Sequence, residues 1–253
     1  MSQLQKRIQR LQRREGPAIG FGRVTREQPR AMALIATASD AASIQSAIDA
    51  DADAVLVEAA SAAAAAAAMD GIATEKLAIG ALLAGVSEAD AEALRKAKCD
   101  FIVSPLDSTD SAAVDTEKTG QVVLASLDME DNTLRVLGPL GFDGLFVKRS
   151  GGAMTLGQQL GLVRLASFAS TGLIVTVDAN AGAGELRVLR DSGALAVVAP
   201  AGTPALGLKA LSDALKAVPA PKKGRREGGD IAIVPSNARA GAEEDGEDDD
   251  EGE

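Results

Sequence analysis

Ala52-Asp53-Ala54-Val55 recurs along the chain as Cys99-Asp100-Phe101-Ile102, Phe142-Asp143-Gly144-Leu145 and Gly193-Ala194-Leu195-Ala196. The copies start 47, 43 and 51 residues apart. Each opens an apolar run of the kind expected for a strand buried on both faces, continuous rather than alternating. Between one copy and the next there is room for a further strand and two helices. The repeat is therefore a pair of strand–helix units. Its aspartates fall at the amino-terminal ends of strands and read as structural turn residues. The last copy carries Ala194 in place of the acid.

Extending this phase in both directions gives eight apolar runs, at 31–37, 54–58, 77–84, 101–105, 121–128, 144–148, 172–178 and 195–200. Helical segments follow them at 41–50, 61–72, 88–97, 110–117, 132–137, 155–170, 185–191 and 204–218. Alternating β and α with short connections implies a parallel sheet. Eight units is the closing number of a (β/α)8 TIM barrel. An open flavodoxin-like or Rossmann-like sheet is the alternative, and the two-unit repeat favours closure over it.

Three domains of behaviour follow. Residues 1–30 form an amphipathic basic helix at 2–14, with Leu4, Ile8 and Leu11 on one side, then a barrel-floor extension that includes a short apolar run at 18–22. Residues 31–218 form the barrel. Residues 219–253 form a charged tail whose last eleven residues hold nine acids and no base, a composition expected to stay disordered.

Composition narrows the function. The net charge is −10, yet residues 1–30 carry eight Lys/Arg against two acids, so the body and tail are acidic. An acidic body repels phosphate backbones, and nucleic-acid binding is not expected. There is no histidine, which removes Ser-His-Asp and Cys-His catalysis and His-based metal sites. One cysteine, Cys99, excludes an internal disulfide and fits a reducing compartment. Cys99 reads as a small buried apolar residue. With no apolar opening segment and no long apolar run, a cytoplasmic protein without membrane contact is expected.

In a barrel the chemistry lies at the carboxyl ends of the strands. Glu58 and Lys148 each end an apolar run there, with Asp178 at the end of strand seven. These three are the catalytic candidates. A desolvated lysine can act as a Schiff-base nucleophile and a nearby carboxylate can move its protons. The bland reading of the same residues is an ion pair closing the mouth. Arg149, Gly151 and Gly152 after strand six, Asn180 and Gly182 after strand seven, and Gly202 and Thr203 after strand eight are the candidates for holding an anion. Glu185 at the seventh helix start counts against that site. No metal and no cofactor is expected.

The stretches Val55-Leu56-Val57-Glu58, Ala78-Ile79-Gly80-Ala81 and Cys99 to Pro105 resemble the 2-keto-3-deoxy-6-phosphogluconate aldolase group, relatives of the ribulose-phosphate-binding barrels. That resemblance implies a proton-shuttling role for Glu58 and a Schiff-base role for Lys148. The chain departs from the pattern at several points. Lys148 comes about two positions late, no Phe-Pro follows it, and Asp178-Ala179-Asn180 stands where the family has a glycine pair. Strand eight lacks the usual Gly-Ser or Gly-Gly end.

Two readings stay open. One is a lyase or isomerase acting on a small phosphorylated or carboxylated metabolite at the mouth. The other is a non-catalytic barrel serving binding or assembly, including homo-oligomer formation, with the basic helix as its working surface.

Overall fold

The computed structural model describes residues 2–12, 30–72 and 77–219. The expected run at 18–22 and nearly all of the charged tail lie outside the described residues. Eight parallel strands close into a barrel in the order β1 to β8. They are β1 (Ala33–Ala38), β2 (Ala54–Glu58), β3 (Ala78–Leu82), β4 (Phe101–Ser104), β5 (Gly120–Ala125), β6 (Gly144–Val147), β7 (Leu173–Thr176) and β8 (Ala194–Ala199). Closure is made by β1 on β8, with Ala33 opposite Ala196 and Ala36 opposite Ala199.

Helix α1 (Gln3–Gln12) precedes the barrel, and α2 (Ala41–Asp49), α3 (Ala62–Met69), α4 (Glu88–Lys96), α5 (Asp131–Leu137), α6 (Leu156–Ala169), α7 (Ala183–Asp191) and α8 (Ala205–Ala217) surround the cylinder. Four of them start on side-chain caps that take up a free backbone N–H: Asp40, Ser61, Ser87 and Thr155. One expectation fails. The helix at 110–117 is replaced by a single 3₁₀ turn, Ser111–Ala113. Around Ala112 and Ala113 the stretch carries Asp110, Ser111, Val114, Asp115 and Thr116, which are weak helix formers. The Asp115 carboxylate accepts from the Lys118 backbone N–H at 3.2 Å and pairs with Lys118 Nζ at 2.7 Å, so local bonding competes with a helix.

Side chains alternate in and out of the barrel. The inner set includes Ile35, Leu56, Phe101, Val103, Val122, Phe146, Ile174 and Val198, all buried. Their size is matched by glycine: a Cβ on Gly80 would sit 2.3 Å from the Phe101 ring. The outer set packs against the helices in a second buried layer.

The amino-terminal end of the barrel is plugged by α1, whose Leu4 and Ile8 join the inner set at 1% and 5% exposure. The recurring aspartates hold the plug and the strand starts. Asp100 accepts from the backbone N–H of Gln3 at 2.7 Å and of Leu4 at 2.9 Å, capping α1 from a different element. Asp143 accepts from the Ser2 hydroxyl at 2.5 Å. Asp53 pairs with buried Arg30 at 3.0 Å and accepts from Leu34 N–H at 2.8 Å. Burial pushes the Asp53 and Asp143 carboxyls above the usual range, opposed by Arg30 and by Ser2 respectively. Gly120 clears space for the junction: a Cβ there would lie 2.4 Å from Asp143 Oδ2 and 2.7 Å from Ser2 Cβ. The apolar side of α1 is thus used within the chain, which leaves only its basic side for a partner. Cys99 is buried beside this junction, and desolvation pushes its thiol up to about 12.

Among the described residues no helix is long and apolar enough to cross a membrane. The plug is expected to carry real stability. Leu4→Ala should cost roughly 2–4 kcal/mol through lost burial and a cavity, and Asp100→Ala about 1 kcal/mol through two uncapped N–H groups. Urea unfolding of both variants checks this, and values near zero for both would mean that α1 does not contribute to the barrel.

Candidate functional site

The parity that fills the barrel also builds its mouth. Thr37, Leu56, Glu58, Phe146, Lys148 and Thr176 all point inward at the carboxyl ends and line a 270 Å³ cavity. Leu56 and Phe146 make its floor. Glu58 is the last residue of β2, two steps beyond Leu56, and Lys148 follows β6, two steps beyond Phe146. The two strands lie across the barrel from one another, so the charges meet over the opening. Lys148 Nζ donates to Glu58 Oε1 at 3.1 Å. Their side chains are 62% and 47% exposed. Lys148 is therefore open to water, and the desolvation expected for it is not found.

Asp178 also lines the cavity, in phase with Thr176. Its Oδ2 accepts from the Gly152 N–H at 2.9 Å, which closes the loop after β6 onto the end of β7. Gly151 is required at this approach, because a Cβ there would lie 2.9 Å from Asp178 Oδ1. No hydrogen bond joins Asp178 to Lys148 or Glu58.

Arg149 behaves differently from Lys148. Its side chain is 3% exposed and its Nη1 donates to Glu185 Oε1 at 2.7 Å. Nη2 donates to the Gly152 carbonyl at 2.9 Å. The Nε atom is buried and has no hydrogen-bond partner among the described residues. The Arg149 backbone N–H donates to the Thr176 hydroxyl at 2.7 Å. So the expected competition from Glu185 is realised as an ion pair. Both carboxylates, Glu185 and Asp178, occupy groups that an anion would use.

The remaining candidates separate. Arg149 and Gly151 line the cavity with the catalytic candidates, and Gly152 is tied to it through Asp178. Asn180, Gly182, Gly202 and Thr203 do not line its wall. Gly182 is the N-cap of α7, which has no side-chain cap. Gly202 has φ +76°, a left-handed conformation that favours glycine. The Thr203 hydroxyl turns back onto the Pro200 carbonyl at 2.7 Å. Thr176 and Ser150 line the cavity and are additions to the sequence reading. Thr176 could have been found by stepping back two residues from Asp178 along an inward-facing row. Among the described residues no three metal-ligating side chains gather.

No family model and no curated protein matches the chain. Among solved structures it is similar to the tryptophan synthase A-subunit of the hyperthermophile Pyrococcus furiosus, at 13% identity and TM-score 0.53, over 75% of this chain and 98% of that one. It is also similar to phosphoribosyl anthranilate isomerase from Thermus thermophilus, at 12% identity and TM-score 0.55, over 74% of this chain and 100% of that one. A chain of the Pyrococcus furiosus tryptophan synthase complex aligns at 13% identity and TM-score 0.52, over 74% and 97% of the two chains. At these identities the likeness is one of fold, the (β/α)8 barrel. This likeness supports the barrel that the aldolase resemblance implies.

The two ion pairs are expected to respond differently to removal of one partner. Glu185→Gln leaves a buried guanidinium short of its counter-charge and should cost roughly 2–4 kcal/mol. Glu58→Gln breaks an exposed pair and should change stability by less than about 1 kcal/mol. Equal losses in denaturant unfolding would contradict this division between a structural and a solvent-facing pair.

Proposed function

We propose that the mouth of this barrel binds a small phosphorylated or carboxylated metabolite and acts on it as a lyase or isomerase. The observation that carries the reading is the Glu58–Lys148 pair, an acid–base couple held over an enclosed floor by strands on opposite sides of the barrel. Lys148 supplies the nucleophile once Glu58 has taken a proton from its ammonium group. Its amine adds to a substrate carbonyl, and loss of water leaves an imine that withdraws electrons from the neighbouring carbon. Glu58, 3.1 Å from that nitrogen, takes and returns the protons of addition and dehydration. Asp178 is the second carboxylate of the site. An anionic group on the substrate is held by Lys148's side of the mouth, with Arg149, Gly151 and Gly152 behind it. Asn180, Gly182, Gly202 and Thr203 would then shape the outer loops rather than touch substrate. The solved neighbours include a synthase subunit and an isomerase, which supports this general class.

Trapping tests it. Incubation with pyruvate or dihydroxyacetone phosphate followed by borohydride should leave a reduced secondary amine on Lys148, read by peptide mass. Lys148→Ala should lose the adduct. Glu58→Gln should slow its formation by roughly a hundredfold or more. No adduct with either carbonyl compound, together with unchanged binding in Lys148→Ala, would dispose of the Schiff-base mechanism.

A specific observation supports assembly as a second reading. On α6 the side chains Leu156, Leu160 and Val163 are 71%, 62% and 39% exposed, and their spacing puts them on one face. The partner for that stripe is a second copy of this chain. Light scattering should then give a dimer mass that Leu160→Glu halves. A monomer at all concentrations removes this reading and leaves the mouth chemistry untouched.

A further inference from the structure

The outward side chains of the barrel strands are Ala, Val, Leu or Ile at every position that faces the helical layer, with two exceptions: Ser104 on β4 and Gln121 on β5. Both are buried, at 1% and 6% exposure. They are neighbours, on adjacent strands, and they lie where the helix expected at 110–117 is missing. The 3₁₀ turn that replaces it leaves a 390 Å³ cavity against the sheet. A space of that size matches small-molecule sites, which run from about 300 to 1,000 Å³. Val114, Val123, Leu140 and Phe142 supply the apolar part of its wall, Ser111 and Thr116 add hydroxyls, and its floor is the Ser104–Gln121 pair.

The protons of the floor can be followed. The Thr109 hydroxyl lies 2.7 Å from the Pro105 carbonyl and 2.8 Å from Ser104 Oγ. The carbonyl can only accept, so Thr109's single proton goes to it, and Ser104 donates to Thr109. Ser104 Oγ then accepts from Gln121 Nε2 at 2.9 Å. This satisfies both hydroxyls. It leaves Gln121 with one N–H and its Oε1, and no hydrogen bond joins either to another described residue. This edge opens on the cavity that Gln121 lines, where a polar group from outside the chain can pair with it.

We propose that this flank cavity, separate from the mouth, binds a small neutral molecule bearing a primary amide or lactam on an apolar body. The ligand carbonyl accepts the free Gln121 N–H while the ligand N–H donates to Gln121 Oε1, and the body packs on Val123 and Phe142. A carboxylate presents two acceptors, faces Oε1 with no proton, and is disfavoured.

Benzamide is the probe, with toluene and benzoate as controls. The readout is the ring resonances of the phenylalanines in the full chain. Phe142 lines the flank cavity and Phe146 lines the mouth, so the two sites report separately. Benzamide should shift Phe142 and leave Phe146 still. Toluene and benzoate should bind roughly tenfold more weakly than benzamide. Gln121→Leu should abolish that preference. Val114→Phe, which fills the cavity from its rim and leaves Gln121 in place, should abolish the Phe142 shift, and it serves as the test should Gln121→Leu not fold. Benzamide binding no better than toluene, a shift at Phe146 alone, or no shift at either ring overturns the proposal.

Discussion

The pairing of β1 with β8 is the constraint from which the rest follows. In an open sheet two edge strands would expose a row of N–H and C=O groups. Closure satisfies them and leaves the side chains only two destinations, inward or outward. Every inward row then runs from the α1 plug at one end to the mouth at the other. Glu58 and Lys148, on strands that never pair, meet because their rows converge on the same opening. A shift of one residue in either strand would exchange the whole inner set for the outer one, and the charged ends would turn into the helical layer.

The closed end is built as carefully as the open one. Leu4 and Ile8 finish the inner packing, and Asp53, Asp100 and Asp143 supply acceptors at strand starts. These acids share a position in the sequence repeat but not a task. Asp100 caps α1, Asp143 holds Ser2, and Asp53 ties Arg30 to the second strand. A common backbone setting persists across the copies: the N–H groups of Asp53, Asp100 and Asp143 each donate to the carbonyl of an outward residue on the preceding strand, Leu34, Ile79 and Gln121.

Much of the architecture was legible because it rests on period. The β2 strand at 54–58 and the starts of α2 and α4 coincide with the expected boundaries, since apolar runs and capping residues mark them directly. The segment at 110–117 was misread because its alanines suggest a helix, while the Asp115–Lys118 turn that defeats it is a local side-chain effect. Side-chain engagement was the least legible feature. Glu58 meeting Lys148 follows from strand parity, but the burial and pairing of Arg149 depend on Glu185, thirty-six positions along the chain. The Gln121 edge could not be read at all without the missing helix, because a lone glutamine in an apolar run carries no sign of what covers it.

The energetics of the mouth rank its cations. Arg149 is buried, and any anion that takes it must first displace Glu185, leaving a carboxylate that is only 21% exposed without its partner. Lys148 faces water, and exchange of its contact with Glu58 for a contact with substrate costs little. On the proposed reading, an entering anion engages Lys148 first, and that engagement frees Glu58. On that reading, the contact that pairs the two charges becomes, once exchanged, a free base beside the lysine nitrogen. The Arg149–Glu185 pair ties the loop after β6 to α7 independently of the Lys148–Glu58 contact, so the rim does not depend on the ion pair that a substrate would displace.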